Sequence, residues 1–581
     1  MQYSIPEIDE AALDRMSHAT WARLWNSVSP ESALLAWTDW ASHLSLSPGR
    51  WLALAKLARQ NELELGEMIH LAAMGKPAIS EAEAAASAGD RRFGDPDWNT
   101  WPFCLYRKAF LQAQGWWDTA THDVWGAEHH HLKLVAFGAR QWLDLWSPGN
   151  QWLTNPVVQR RTREDAGANL MHGFVNFWDD FSRQIQNLPP AGAENFTVGE
   201  TVAVTPGKVV MRNALAELIQ YTPTTPQVHA EPIMIVPAWI MKYYILDLSP
   251  HDSLIRYLVS QGHTVFCVSW RNPGEENRDM GMDDYLRMGL RDALDTVGGI
   301  LPERKIHLAG YCLGGTLAAI GAAAMARDGD DRLASLTLLA AQTDFSEPGE
   351  LGLFIDESQV SLLEAQMDQA GYLRSDQMSG AFQMLRPYDL LWSRVVNDYL
   401  MSQRRPYNDL MAWNADATRM PARMHSEYLR RLFLRNDLSQ DRYPVDGKPI
   451  SLNALQMPIF AVGTASDHVA PWRSVYKIHH LSPAEITFVL TSGGHNAGIV
   501  SEPGHPRRSY HIARREAGTV APHVDAWTAS ADQCEGSWWP AWSTWLKTRS
   551  TTTVPAPRQA GAPRRGFPAL GDAPGQYVLM P

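Results

Sequence analysis

The chain lacks the features that mark secreted, membrane-spanning and nucleic-acid-binding proteins. Its 581 residues include four cysteines, which lie far apart and form neither a CxxC pair nor a metal-binding spacing; we therefore expect free thiols in a reducing compartment. The formal net charge of -12 is the opposite of the basic excess that nucleic-acid binding requires. The N-terminal segment has no signal-peptide pattern, and no apolar run reaches the roughly 18 residues that span a bilayer. The sequence predicts a soluble, cytoplasmic protein without a transmembrane segment.

The size and the 45% hydrophobic content predict a large core and more than one domain. Apolar residues three or four positions apart, as in Trp21–Trp25 and Leu34–Trp40, are typical of helices. This Trp-rich pattern predicts an N-terminal helical domain over residues 1–195.

From about residue 200 the pattern changes to short β-branched runs, which are typical of buried parallel strands. These runs are Pro232–Val236, Thr264–Ser269, Lys305–Ala309, Leu336–Ala340, Pro458–Val462 and Ile486–Leu490. The segments Ser249–Gln261 and Met282–Leu301 between them have helical periodicity. The alternation predicts an α/β domain over residues 196–550.

Two segments depart from the α/β pattern. Residues 345–445 are rich in Met, Arg and Tyr and have no strand pattern, which predicts a helical cap, or lid, inserted between the two strand-rich blocks. Residues 551–581 are rich in Pro, Ala, Gly and Arg, and we predict an extended C-terminal tail there.

One motif carries chemistry. Gly310-Tyr-Cys-Leu-Gly-Gly315 follows the predicted strand Lys305–Ala309 and precedes the small-residue run Thr316–Met325. A strand, Gly-x-Cys-x-Gly and a helix form the layout of a nucleophile elbow, with Cys312 where serine usually stands. Glycines permit the sharp turn and the close approach of neighbouring backbone. The competing interpretation is a buried structural cysteine in a glycine-rich turn.

A nucleophile elbow requires an acid and a base later in the chain, each at the carboxyl end of a strand. Asp467 follows the run Pro458–Val462, and His495 follows Ile486–Leu490. Taken singly, they could be a loop carboxylate and a solvated loop histidine. Their order and strand context predict a Cys312–Asp467–His495 triad in an α/β-hydrolase fold.

Each member of the predicted triad has a chemical role. His495 takes the thiol proton as general base, and Asp467 orients the imidazole or activates an incoming hydroxyl through it. An oxyanion needs two N–H donors, and the Leu313 N–H directly after the nucleophile is the first. The second must come from the loop Val236–Ile240, in which Pro237 has no N–H. Ala238, Trp239 and Ile240 remain, and we favour Trp239.

Cysteine instead of serine favours acyl transfer over hydrolysis. A thiol nucleophile forms a thioester, so acyl exchange from acyl-CoA onto Cys312 is nearly neutral, and transfer to an alcohol is downhill. Transfer prevails only if water is excluded, which the predicted cap could achieve.

The sequence around the elbow resembles the modified lipase box of polyhydroxyalkanoate synthases, and the resemblance covers most of the chain. Further blocks that resemble this family are Asp90–Trp98, Leu153–Pro156, Trp239–Leu248, Val268–Pro273, Arg386–Trp392, Trp413–Asp416, Asp467–Trp472 and Ala573–Val578. The Trp-rich end, Trp538–Trp545, resembles the single-subunit class. The chain departs from the family at Met241, where asparagine is usual, and at Asn496, after the base.

The resemblance implies polymerisation of (R)-3-hydroxyacyl-CoA into polyester through an acyl-Cys312 intermediate, with CoA as product and no cofactor. It also implies a homodimer on a polymer granule, and a supporting role for His468. Two alternatives remain: an intracellular polyester depolymerase or thioesterase with the same triad, and a granule-coating structural protein with a vestigial site. Acyl chain length is left open.

Two other features suggest binding but are given simpler interpretations. The triplet His129–His131 is interpreted as a solvated helical face rather than a metal site, because adjacent helical residues point in different directions. Arginines of the cap region could meet CoA phosphates, although exposed lid charges are the simpler interpretation. They are Arg386, Arg394, Arg404, Arg405, Arg419 and Arg423.

Overall fold

The computed structural model describes residues 29–87, 89–186, 188–378 and 391–581, together with the single residues 14, 17 and 380. The described residues form two compact units. The helical unit comprises those within 25–191 and 380–406, and the sheet unit those within 1–24, 192–379 and 407–581. The predicted helical segment Trp21–Trp25 and the candidate Arg386 lie outside the described residues.

The helical unit consists of helices that begin at typical start signals. They are α1 Pro30–Ser45, α2 Pro48–Ala73, α3 Glu81–Ser87, α4 Phe103–Thr121, α5 His129–Leu145, α6 Pro156–Glu164 and α7 Ala168–Ile185. Proline occupies the first turn of α1, α2 and α6. Backbone N–H groups in the first turn have no acceptor within the helix, so the absence of an N–H on proline costs no hydrogen bond there. The Asn155 side chain accepts hydrogen bonds at the start of α6. The predicted N-terminal helical region is confirmed.

Part of the predicted cap packs within the helical unit. The π-helical turn Val395–Leu400 lies against α7, where Asn169 Nδ2 donates to the Leu400 carbonyl at 2.7 Å. A Cβ on Gly173 would overlap the Tyr399 carbonyl oxygen, so α7 can approach this turn only through a glycine. The sequence pattern did not indicate this partner, because the two segments lie over 200 residues apart.

The sheet unit contains an eleven-stranded sheet within the described residues, in the order β15-β14-β13-β12-β7-β6-β4-β5-β2-β1-β17. Its strands are β1 Gly207–Arg212, β2 Ala216–Tyr221, β4 Ile233–Val236, β5 Val265–Trp270, β6 Ile306–Tyr311, β7 Leu333–Leu339, β12 Ile459–Thr464, β13 Ile486–Thr491, β14 Ser509–Arg515, β15 Asp532–Glu535 and β17 Gly571–Asp572. The remaining short strands, in separate pairs, are β3 Gln227–His229, β8 Tyr372–Leu373, β9 Met420–Pro421, β10 Pro444–Val445, β11 Lys448–Pro449 and β16 Thr553–Pro555.

The middle of the sheet is parallel, as predicted. Strands β5, β4, β6, β7, β12 and β13 pair in parallel, and antiparallel strands extend both edges. Every residue of β4, β6, β12 and β13 is buried, which explains the continuous apolar runs. Because the strands are parallel, their carboxyl ends meet at one edge, where ligands bind in open α/β sheets.

The sheet unit also contains helices, including those of the cap. They are α8 Leu254–Ser260, α9 Met282–Asp284, α10 Asp292–Ile300, α11 Leu313–Asp328, α12 Glu357–Ala370, α13 Asp409–Ala415, α14 Ala422–Tyr428, α15 Trp472–Tyr476, α16 Ile478–Leu481, α17 Val524–Ser530 and α18 Trp539–Lys547. The predicted helix Met282–Leu301 contains a π-helical turn, Tyr285–Arg291, between α9 and α10. Helices α12 to α14 lie between β7 and β12, so an inserted helical cap is present.

The C-terminal tryptophans belong to the core. Trp538 and Trp542 are fully buried and pack near Phe460 of β12. The tail beyond residue 550 lies along the sheet unit, where β16 pairs with β3 and β17 pairs with β1. No helix in the described part of the chain is long and apolar enough to cross a bilayer.

Candidate active site

Cys312 lies at the turn between β6 and α11, as a nucleophile elbow requires. Its backbone has φ of 52° and ψ of -124°, a combination that non-glycine residues rarely adopt. Such strain persists only where the surrounding structure enforces it, and it is typical of active sites. The side chain is nearly buried, with 9% of the residue exposed.

The glycines of the motif are required by close backbone approach. A Cβ on Gly314 would overlap the Val236 carbonyl oxygen at the end of β4, and one on Gly315 would overlap the Ala341 side chain. The first turn of α11 therefore touches the loop that follows β4. This contact explains why the motif ends in two glycines.

A Gly314→Ala substitution is expected to destabilise the sheet unit by about 3 kcal/mol, because the backbone must move to accommodate the methyl group. The matched control is Gly298→Ala within α10, where no atom lies within 4 Å of a new Cβ. That control is expected to gain up to about 1 kcal/mol from helix propensity. Urea unfolding followed by tryptophan fluorescence measures both changes; equal stability of the two variants would contradict the close approach.

His495 and Asp467 form a hydrogen-bonded pair across 28 residues of sequence. His495 Nδ1 lies 2.7 Å from Asp467 Oδ2. The other carboxylate oxygen accepts the Val469 and Ala470 N–H groups at 2.9 and 2.8 Å, and Thr464 Oγ1 donates to Oδ2 at 2.8 Å. The Asp467 side chain is fully buried, so these bonds determine its orientation. The structure thus brings the predicted acid and base together.

The electrostatics link this pair to Cys312. Burial alone would lower the pKa of His495, but the negative charges of the Cys312 thiolate and of Asp467, and hydrogen bonds to both, raise it to about 10. Burial alone would raise the pKa of Asp467, but His495, Ala470 and Thr464 hold it below its ordinary value. The two acidic groups beside the ring therefore favour the protonated form of His495.

The pKa of His495 is expected to fall in a Cys312→Ala variant, because the thiolate charge that raises this pKa is lost. Histidine NMR across the pH range measures the shift. The control is Cys534→Ala, since this cysteine lies in the edge strand β15, five strands from β6, which precedes Cys312. An unchanged His495 pKa in Cys312→Ala would contradict the electrostatic link.

Two tyrosines that the sequence reasoning missed flank the triad. The Tyr311 ring packs against His495 with centroids 5.6 Å apart, and its hydroxyl donates to Asn496 Oδ1 at 2.6 Å. Asn496 is one of the two departures from the family pattern, and it holds the residue before the nucleophile. Tyr428, at the end of α14 in the cap, is linked to Cys312 electrostatically: burial and then the negative charge of Cys312 raise the pKa of its phenol well above the ordinary value.

The two oxyanion candidates lie on adjoining elements. Leu313 is the first residue of α11, so its N–H has no acceptor within the helix. Trp239 follows β4 in the loop that touches α11. Trp270 Nε1 donates to the Pro237 carbonyl at 2.8 Å and holds the start of this loop. Trp239 stays our proposed second donor.

Three of the candidate cap arginines pair with carboxylates. Arg394 and Arg404 pair with Asp180 in the helical unit, each at 2.6 Å, and Arg423 pairs with Glu427 at 3.0 Å. The backbone carbonyl of His468 accepts the Glu350 N–H at 3.2 Å.

The histidine triplet begins α5. His131 Nδ1 lies 2.8 Å from Asp39 Oδ2. No group of three or more His, Cys, Asp or Glu side chains in the described ranges is arranged to hold a metal ion.

Three family models match parts of this chain. The "Poly-beta-hydroxybutyrate polymerase (PhaC) N-terminus" family matches residues 89–258, the "Poly-beta-hydroxybutyrate polymerase N terminal" family matches 8–50, and the "alpha/beta hydrolase fold" family matches 231–502. A solved monoacylglycerol lipase from Paleococcus ferrophilus has 11% identity and a TM-score of 0.32, over 58% of this chain and 99% of that chain.

Curated relatives cover nearly the whole chain. The poly(3-hydroxyalkanoate) polymerase of Methylorubrum extorquens is 39% identical over 540 residues, which is 91% of this chain and 88% of that protein. The poly(3-hydroxyalkanoate) polymerase subunit PhaC of Cupriavidus necator is 36% identical over 507 residues, 86% of this chain and 85% of that protein. The chain therefore belongs to the poly(3-hydroxyalkanoate) polymerases, a family of acyltransferases with an α/β-hydrolase fold.

Proposed function

We propose that this chain polymerises (R)-3-hydroxyacyl-CoA into polyester and releases CoA, with the acyl group held on Cys312 between steps. The observation that carries the proposal is a buried cysteine at a strained elbow, coupled to the His495–Asp467 pair, in a chain of this family. No cofactor is needed, because the acyl group arrives already activated as a thioester of CoA.

The first step loads the enzyme. His495 takes the proton of Cys312, and Sγ attacks the thioester carbonyl, so that the negative charge develops on the carbonyl oxygen. The N–H groups of Leu313 and Trp239 are our proposed donors to that oxygen. The bond between the carbonyl carbon and the CoA sulfur then breaks, and CoA leaves as a thiol with the proton from His495.

The second step extends the chain. The 3-hydroxyl of one acyl unit loses its proton to His495 while its oxygen attacks the thioester carbonyl of another. The new carbon–oxygen ester bond forms as the bond from that carbonyl carbon to Cys312 Sγ breaks; the Cys312 thiol takes the proton back from His495, and the lengthened chain remains a CoA thioester that loads Cys312 again. Repetition of the two steps lengthens the polymer by one unit for each CoA released.

Exclusion of water separates this activity from hydrolysis. The site supports exclusion: the Asp467 side chain is fully buried, the His495 side chain is 10% exposed, and Cys312 is 9% exposed. A cap that stays closed around a thioester favours an alcohol nucleophile over water. A depolymerase or thioesterase would instead need a path for water to Cys312.

The test feeds (R)-3-hydroxybutyryl-CoA to the purified protein and measures CoA, free acid and solvent-extractable polymer. The proposal expects polymer in molar proportion to CoA, and radiolabel on Cys312 after acid quench with labelled substrate. CoA release with free acid as the only product would make the chain a thioesterase. No CoA release at all would favour a structural protein on the granule.

We also propose that the chain works on the surface of its polymer, as a homodimer. The helical unit supports docking to an apolar surface, because α7 carries a row of exposed apolar side chains at helical spacing: Met171, Phe174, Val175, Trp178 and Ile185. Burial of such a row against polyester would anchor the enzyme to its product.

Replacing Phe174, Trp178 and Ile185 by glutamine together is expected to release most of the protein from isolated granules in a sedimentation assay. The control replaces two exposed apolar residues of the sheet unit, Val520 and Leu570, by glutamine. Equal sedimentation of both variants would contradict docking through α7.

A further inference from the structure

The loop after β4, residues 237–242, is held by the cap through its carbonyl groups. Thr418 Oγ1 donates to the Trp239 carbonyl at 2.6 Å, and Trp413 Nε1 donates to the Lys242 carbonyl at 2.7 Å. Trp413 lies on α13, and Thr418 follows that helix. The position of any N–H group in this loop therefore depends on contacts that lie outside the loop.

The side chain of Lys242 ties the same loop to the C-terminal tail. Lys242 is 3% exposed, and its Nζ donates to the carbonyls of Val578, at 3.0 Å, and Met580. Burial lowers the pKa of Lys242, and the nearby Asp416 carboxylate partly opposes that shift. A buried ammonium without partners is costly, so these contacts must form together if the loop is to hold its place.

The tail segment 576–581, here called the strap, is anchored at both ends. At one end the carboxylate of Glu217, whose side chain is 0% exposed, accepts the Gln576 and Tyr577 N–H groups at 2.9 and 3.0 Å. At the other end the Pro581 oxygen accepts from Arg419 Nη2 at 2.6 Å, and Arg419 lies beside the cap strand β9. The strap thus runs from β2 to the cap, and Lys242 donates hydrogen bonds to it between these two anchors.

We propose that Lys242 and the strap are positioning elements. They hold loop 237–242 so that its proposed oxyanion donor, the Trp239 N–H, lies within hydrogen-bond distance of the substrate oxyanion. Lys242 does not touch the substrate. It acts through the backbone of the loop, which also abuts the first turn of α11 at Gly314. Oxyanion donors work only within a few tenths of an ångström of their target, so a loosened loop slows the chemical step more than it weakens substrate binding. This inference rests on the proposed function.

The first test is Lys242→Met, which keeps the length of the side chain and removes the ammonium donors. We expect kcat for (R)-3-hydroxybutyryl-CoA to fall roughly 10- to 100-fold, while KM changes less than about twofold. The alkylation rate of Cys312 by iodoacetamide should stay at the wild-type value, because alkylation forms no oxyanion. The matched control is Lys208→Met, which removes an exposed lysine that pairs with tail residue Asp572 but does not reach the loop.

The second test removes residues 577–581 alone and together with Lys242→Met. If the lysine acts through the strap, the double variant should lose no more of kcat than the more affected single variant. If the kcat losses of the two single variants multiply in the double variant, the pairing of Lys242 with the strap is contradicted. If Lys242→Met does not fold, Trp413→Phe, which removes the donor to the Lys242 carbonyl, should give the same kcat loss.

A wild-type kcat in Lys242→Met or in Trp413→Phe would overturn the inference. Parallel losses of kcat and of the Cys312 alkylation rate would also overturn it, because the whole site would then have moved. Failure of the proposed function is a separate result: wild-type protein that makes free acid and no polymer. In that case the same kcat comparison is made on hydrolysis, which also passes through an oxyanion.

Discussion

Replacing Cys312 by alanine is expected to lower the rate of CoA release by roughly a thousand-fold or more, because the proposed mechanism carries the acyl group on its sulfur. Polymer formation should stop altogether. Steady-state assay of CoA release measures the rate, and acid-quenched labelled substrate shows whether any acyl group stays on the protein.

Cys534→Ala is the control for the thiol chemistry, since Cys534 is a free cysteine in β15. It should release CoA at the wild-type rate. Label that remains on the Cys312→Ala protein, or CoA release above one-tenth of the wild-type rate, would contradict Cys312 as the acyl carrier.

Replacing Asp467 by asparagine is expected to lower kcat roughly a thousand-fold. The amide can offer its NH2 group to His495 Nδ1, which selects the tautomer with the proton on Nε2, the atom that must accept from the thiol. The pKa of His495 should also fall from about 10, because the carboxylate charge that raises it is gone. Steady-state kinetics and histidine NMR measure the two effects.

The control for Asp467→Asn is Asp292→Asn; the Asp292 carboxylate, at the start of α10, accepts a hydrogen bond from Asn213 Nδ2 at 2.8 Å. It should keep the wild-type kcat and His495 pKa. A kcat loss in Asp467→Asn without a lower His495 pKa would mean that Asp467 acts only by holding its loop.

The local elements could be predicted because their causes are local. The runs at β4, β6, β12 and β13 are apolar throughout since both faces of a central parallel strand are buried. The elbow could be predicted because a strand pattern, Gly-x-Cys-x-Gly and a helix pattern follow one another along the chain, although the atoms that approach Gly314 and Gly315 belong to distant residues. The order of Cys312, Asp467 and His495 then follows from the order of the strands that carry them.

Contacts between distant segments could not be predicted. Nothing in the residues around Tyr311 indicates that its hydroxyl meets Asn496, and nothing near Lys242 indicates Val578 as its partner. The boundary of the cap is a similar case. Residues 391–406 have the composition of a lid, but they belong to the helical unit, where the Tyr399 backbone packs against α7 at Gly173. This packing depends on the surfaces of two segments that are distant in sequence.

The sequence by itself determined the elbow, the parallel strands and the chemical groups that they carry, because each depends on residues within one turn or one strand. Only the tertiary structure decided how those groups are oriented: the His495–Asp467 bond, the Tyr311–Asn496 bond and the contacts on loop 237–242. Such contacts join residues from 28 to more than 300 positions apart. Their geometry is fixed by the packing of whole elements, which local sequence patterns do not encode.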